Sequence, residues 1–112
     1  MEKKLIKPPM DLAEFEANAG RVADLLKTMG NRHRLMAMCK LAEHGEMRVG
    51  DLADEVGLSQ SALSQHLAKM RGEGLVAFRR DSQALWYRIA DPRCEMLMAT
   101  LYELYCAKDP AS

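Results

Sequence analysis

The spacing of apolar residues along this chain is helical except over one short stretch near its C-terminal third, where it becomes two. Up to Met70 the period is helical. "DLAEFEANAGRVADLLKTMG" carries Leu12, Phe15, Ala19, Val22, Leu25, Leu26 and Met29 at helical intervals, with Asp11 placed to cap the start and Gly30 to end it. Asn31 is placed to cap a second helix, "NRHRLMAMCKLAEHG", in which Leu35, Met38, Cys39 and Ala42 form the predicted stripe and Gly45 closes it. "VGDLADEVG" predicts a short third helix with Leu52, Ala53 and Val56 inward and Gly57 at the turn. Ser59 then caps a fourth, "QSALSQHLAKMRGEG", whose Leu63, Leu67 and Met70 recur at i, i+4 and i+7.

After Gly74 the period becomes two. "LVAFRR" and "LWYRI" are rich in strand formers and bracket "DSQA", which predicts a β-hairpin with a polar tip. Asp91-Pro92 supplies a cap and a first-turn proline for a last helix, "PRCEMLMATLYELYCAKD". Leu97, Leu101 and Leu104 line one side of it, with Met98 and Tyr105 beside them. A terminal helix apolar over so much of its circumference needs cover, and a second copy of the chain is the economical source. Residues 1–10 are polar, contain Pro8-Pro9, and read as a flexible arm ahead of one domain over residues 11–108. The order helix, helix, helix-turn-helix, hairpin, helix is that of a winged helix-turn-helix, mainly α with a small β-hairpin.

Composition narrows the reading. A length of 112 residues suits one domain with a modest core, and 29% charged with 48% apolar residues is a globular balance. Nine methionines point to an adaptable interior, and 5% aromatic content argues against a stacking platform for single-stranded nucleic acid. The charges sum to zero but are unevenly spread. Glu43, Glu46, Asp51, Asp54 and Glu55 face only Arg48 in the third-helix region, whereas Lys69, Arg71, Arg79, Arg80 and Arg88 outweigh Glu73 and Asp81 further on. The N-terminus has no apolar run long enough for a signal peptide or membrane span, so the expectation is a cytoplasmic protein with no membrane partner. In a reducing compartment its three cysteines are not a permanent framework. No nucleophile–base–orienter set, phosphate loop or paired-carboxylate motif stands out, so the chain reads as neither an enzyme nor a cofactor protein.

The fourth helix holds the candidate chemistry. Ser59, Gln60, Ser61, Ser64 and Gln65 cluster at its start, and at 100° per residue Ser61, Gln65 and Lys69 face away from the apolar stripe. A helix tip entering the major groove can use Gln to read an adenine edge and Ser to contact bases or phosphates. Exposed N–H groups at the helix start favour phosphate too. Lys69, Arg71, Arg79 and Arg80 suit phosphate positioning, with the hairpin tip near the minor groove. His66, beside the inward stripe, reads equally as a packed residue or a DNA contact. The run Arg32-His33-Arg34 reads as a solvated helix start.

The segment from about Val22 to Cys106, and "LSQSALSQHLAKMRGEGLV" most specifically, resembles the ArsR family of bacterial winged-helix repressors. That resemblance implies a homodimer built from the first and last helices, binding double-stranded operator DNA and releasing it when an inducer arrives. Metal sensors of the family carry "ELCVCDL" in the third helix. Here the segment is "EMRVGDL", with Arg48 and Gly50 in place of the thiols, and the last helix has no His. No other Cys/His pair has metal-site spacing, so no metal is expected, although a metal-responsive repressor stays an alternative. Cys39 in "MAMCKLA" and Cys106 in "ELYCAKD" resemble the thiol- and reactive-sulfur-sensing subgroup of the family, the BigR, SqrR and HlyU type. This implies a switch in which reactive sulfur or an oxidant links Cys39 to Cys106. A HlyU-like activator that displaces a silencing protein is the other alternative. Cys94 is an extra thiol that falls with Leu97, Leu101 and Leu104 and reads as a small packed hydrophobe; Cys106 lies off that stripe.

Overall fold

The caps foreseen in the sequence are made. Asp11 accepts from the Glu14 N–H at 2.8 Å and starts α1 (Leu12–Met29). Asn31 accepts from the Arg34 N–H at 3.1 Å and starts α2 (Arg32–His44). After a two-residue strand, β1 (Met47–Arg48), the chain passes directly into α3 (Val49–Val56). Gly57 turns the corner at φ 76°, a left-handed conformation that glycine adopts without steric cost. Ser59 then accepts from the Ala62 N–H at 3.1 Å and starts α4 (Gln60–Gly72). Strands β2 (Val76–Asp81) and β3 (Ala84–Ile89) form the hairpin, and Asp91 caps α5 (Pro92–Tyr105). This computed structural model describes residues 11–106. The expected arm at residues 1–10 and the domain end at 107–108 lie outside the described residues.

The sheet has three strands in the order β1-β3-β2, all antiparallel, so the hairpin gains a strand that the sequence reading lacked. Its inner face presents Met47, Val76 and Tyr87 to the helices, each nearly buried. The turn is shorter than the bracketed "DSQA": Asp81 and Ala84 are already paired, leaving Ser82 and Gln83 at the tip, with Ser82 at φ 57°.

Leu63, Leu67 and Met70 of α4 are fully buried, as the spacing predicts, against Leu52 and Ala53 of α3 and Met38 and Leu41 of α2. Met29, Met38, Met47, Met70 and Met98 all enter this core, which is the methionine-rich interior expected. In α2 the predicted stripe is rotated. Ala37, Met38 and Leu41 are the buried residues, Leu35 and Cys39 are half-buried, and Ala42 is exposed. The reason is position: α2 touches α1, α3, α4, α5 and β3, so it is covered from several sides and has no single inward face. The outer helices are the opposite case. Leu12, Phe15 and Leu26 of α1, and Met96, Tyr102, Leu104 and Tyr105 of α5, are more than half exposed.

Candidate functional site

The start of α4 is a polar ledge on a buried apolar base. Ser59, Gln60, Ser61, Ser64 and Gln65 are all exposed, while Leu63 and Leu67 beneath them are fully buried. The buried stripe fixes the rotation of the helix, and the cap fixes where it begins. Ser59 accepts the Ala62 N–H and lies 3.4 Å from the Ser61 hydroxyl, so the two hydroxyls form a local pair. The amide of Gln60 lies over Gly50, on the first turn of α3. Gln60 and Ser64 also line a groove of about 410 Å³ with Arg48, Gly50 and Asp51 on one side and Gln83 of the hairpin tip on another. Sequence reasoning missed Gly50 and Gln83, because neither belongs to the polar run and only the fold brings them to it.

The four cations differ in their surroundings. Lys69 is exposed and pairs with Glu73 one turn on, at 3.2 Å. Arg71 lies over the Phe78 ring at 5.1 Å, which joins the end of α4 to the hairpin. Arg79 is held by Glu46 through two hydrogen bonds and lies over Trp86. Arg80, nearer the tip, is exposed and makes no ion pair among the described residues.

His66 is half-buried, and Arg34 is as well. Arg34 Nη1 lies 3.3 Å from His66 Nδ1, and Arg34 Nε donates to the Thr28 carbonyl at 2.8 Å. Arg34 is therefore not part of a solvated helix start, and of the two readings of His66 the packed one fits. His66 and Arg34 are 32 residues apart, and Thr28 meets Arg34 across the turn between α1 and α2, so no pattern within α2 signals these contacts.

The three cysteines are free and occupy three different environments. Cys94 is fully buried at the start of α5, and burial, with the charge of Asp91, pushes its thiol up to about 11. Cys39 is half-buried in α2 with its sulfur 3.8 Å from that of Met98. Cys106 is exposed at the end of α5. Burial raises the Cys39 thiol first, and the charge of Cys106 raises it further, while Lys40 opposes both. Among the described residues no three His, Cys, Asp or Glu side chains gather as a metal-binding group, and no helix is long and apolar enough to cross a membrane.

Residues 31–77, which hold α2, the helix-turn-helix and the entry to the hairpin, match the family described as bacterial regulatory protein, arsR family. The chain is 42% identical over 98 residues to the transcriptional activator HlyU of Vibrio cholerae serotype O1, spanning 88% of this chain and 90% of that protein. It is 38% identical over 103 residues to the biofilm growth-associated repressor of Xylella fastidiosa, spanning 92% of this chain and 90% of that one. The solved structure of reduced HlyU from Vibrio cholerae N16961 superimposes with a TM-score of 0.77 at 41% identity, covering 83% of this chain and 97% of that one. Fold and relatives are those of DNA-binding transcriptional regulators and not of enzymes. This chain belongs to the ArsR family of bacterial regulatory proteins and is a winged helix-turn-helix transcriptional regulator of the HlyU and BigR type.

Proposed function

We propose that two copies of this chain pair through α1 and α5 and lay their α4 helices into adjacent major grooves of operator DNA, about one helical turn apart. Ser59, Gln60, Ser61, Ser64 and Gln65 contact base edges and nearby phosphates. Lys69, Arg71, Arg79 and Arg80 hold the backbone. The observation that carries this reading is the exposed polar run on a fully buried Leu63–Leu67 base, which leaves the ledge free to meet a ligand in a fixed orientation. The exposed apolar residues of α1 and α5 support pairing through those helices.

Operator binding is switched by a link between Cys39 and Cys106. The contact of Cys39 with Met98 of α5, the helix that ends at Cys106, supports it, and so does the burial of Cys94. Cys106, the exposed thiol, reacts first. With hydrogen peroxide it becomes a sulfenic acid and one water leaves; the Cys39 thiol then displaces a second water to give the disulfide. With a polysulfide, sulfur atoms remain in the bridge and sulfide leaves. Either bond ties α5 to α2, the helix that contacts both α3 and α4. In the chain-entropy model a loop this long is worth on the order of 4 kcal/mol, more than the ~1–3 kcal/mol of typical allosteric coupling.

The test is binding to duplexes enriched by the protein from a randomised library, before and after tetrasulfide or peroxide, with Cys39→Ser and Cys106→Ser beside the parent. The parent releases DNA and both variants retain it. Release by both variants would sink the switch. The sign of regulation is a separate matter, since one relative is named an activator and another a repressor. We favour repression, the simplest outcome of an operator-bound dimer; a reporter assay in a deletion strain distinguishes the two.

A further inference from the structure

A polar network beneath the ledge ties the reading helix to the α1–α2 corner. Thr28, in the last turn of α1, is almost fully buried. Its carbonyl accepts from Arg34 Nε at 2.8 Å, and its hydroxyl donates to Glu73 Oε1 at 2.6 Å. Glu73 caps the end of α4, and the other arm of Arg34 reaches His66 in the middle of that helix at 3.3 Å. Two links from α4 thus converge on one residue of α1. A guanidinium has donors only, so His66 Nδ1 must accept; the ring is then neutral, with its proton on Nε2.

We propose that Arg34 and His66 are positioning residues for DNA reading: the guanidinium bridges the end of α1 to the middle of α4 and sets the angle of the polar ledge while the imidazole is neutral. The inference rests on the DNA-reading role proposed above. Protonation of His66 puts a hydrogen on Nδ1 where Arg34 donates, and places a second cation against the guanidinium. The charged groups acting on His66 are Arg34 and His33, both from α2, with the His33 ring centroid 6.0 Å away. No carboxylate is among them, and none of them belongs to α1, α3 or β2, which also meet α4. Burial, then Arg34, then His33 all push the imidazole below its ordinary value, so the bridge is intact at neutral pH and opens in mild acid.

The experiment uses the full chain and a duplex that the wild-type protein enriches from a randomised library at about pH 8, followed by fluorescence anisotropy down to about pH 5.5 at fixed salt. His66→Asn keeps an acceptor oxygen near the Nδ1 position but cannot titrate. Its affinity matches wild type at the alkaline end, and the wild type falls progressively behind it toward the acid end, by roughly a few-fold. His33→Asn removes the smallest of the three influences on His66 and moves the fall to slightly higher pH without abolishing it. Arg34→Lys keeps the charge but, as a point donor, cannot span both partners, and binds about tenfold more weakly at all pH. A constant ratio of wild type to His66→Asn across the range overturns the proposal, even if Arg34→Lys does not fold. If the wild-type protein enriches no sequence at all, the DNA-reading role fails and the clamp fails with it. If it does enrich one and the ratio stays constant, the clamp alone fails.

Discussion

Arg79 of β2 grips Glu46, the residue before β1, through two parallel hydrogen bonds, Nε to Oε2 at 2.7 Å and Nη2 to Oε1 at 3.0 Å. That hydrogen bonding, ahead of the charges of Arg79 and Arg88, holds the Glu46 carboxyl below the usual carboxylate range. The guanidinium also lies 5.3 Å from the Trp86 ring centroid, and Arg48 lies 5.6 Å from the same ring. Arg48, Trp86 and Arg79 are register partners across the three strands, so one row of side chains braces the sheet. A phosphate meeting Arg79 therefore meets a cation whose charge Glu46 already offsets.

Glu46→Gln therefore releases the cation with little change in shape. The variant is expected to bind DNA more tightly at low salt. Its plot of log affinity against log salt is expected to steepen by about 0.9, the slope of one added phosphate contact. Titration at several salt concentrations measures this. An unchanged slope would make Arg79 a strut of the hairpin and leave Arg80 as its phosphate contact.

Gly50 stands at the second position of α3, where alanine is ordinarily better by roughly 0.5–1 kcal/mol. A Cβ there would sit 3.2 Å from Gln60 Nε2 and 3.7 Å from its Cδ, and meet nothing else within 4 Å. Gly50→Ala is thus expected to raise the thermal midpoint while shifting the Gln60 amide by a few tenths of an ångström. The two effects separate cleanly: denaturation reports the first, and repeated selection from the library reports an altered preference at one base position. An identical enriched sequence would mean that Gln60 does not read from this pose.

Much of the fold was legible because caps and stripes are local. Asp11, Asn31, Ser59 and Asp91 each satisfy a nearby N–H, and Leu63, Leu67 and Met70 need only the helical period to be recognised. What escaped depends on partners far along the chain. Met47 and Arg48 are too few to show a strand period and become a strand only because Tyr87 and Trp86 are there to pair with them. The short hairpin turn carries no Asn-Gly or Gly signal, since Ser82 itself takes the positive φ. Arg34 looks solvated beside Arg32 and His33 until Thr28 and His66 are brought to it. The ledge was readable for the same reason as the caps; its setting against Gly50 and Gln83 was not.

Titration of His66 should be visible in folding as well as in DNA binding. The unfolded imidazole titrates near pH 6.5, about its ordinary value, and the folded one titrates lower. Between those values the unfolded chain binds more protons, so stability is complete above about pH 6.5 and declines as pH falls through the folded value. Glu73 and Asp91, whose carboxyls are held low chiefly by Thr28 and by Arg93, lose their contributions only in the carboxylate range, below about pH 4. Urea unfolding on either side of pH 6 should show a loss in the wild type that His66→Asn lacks. Equal losses would mean that other groups carry it.

Cys94 should stay unmodified while Cys106 and Cys39 react. It is fully buried with its thiol pushed up to about 11, so almost none is thiolate at neutral pH. Mass spectrometry after limited tetrasulfide treatment of the native protein checks this, with urea-treated protein as the control in which all three react. Cys94→Ser buries a hydroxyl with no sulfur-sized fit and is expected to cost about 1–3 kcal/mol, whereas Cys94→Ala should cost less because it leaves no unpaired polar group.

The pairing surface makes the last prediction. Phe15 on α1 is 59% exposed and Leu104 on α5 is 69% exposed, and neither contributes to the core. In a lone copy their replacement by glutamate would be nearly neutral, because each is already in water. In a dimer closed through these helices each substitution buries a charge against apolar surface and splits the pair. Phe15→Glu and Leu104→Glu are therefore expected to leave the circular dichroism spectrum and the thiol reactivity order unchanged. In sedimentation they should run at half the parent mass and bind the enriched duplex at least about a hundredfold more weakly, since two half-site contacts no longer act as one. Variants that stay dimeric would move the pairing surface elsewhere. A parent that sediments as a monomer would remove the dimer, and with it the spacing that sets two α4 helices on successive turns of the duplex.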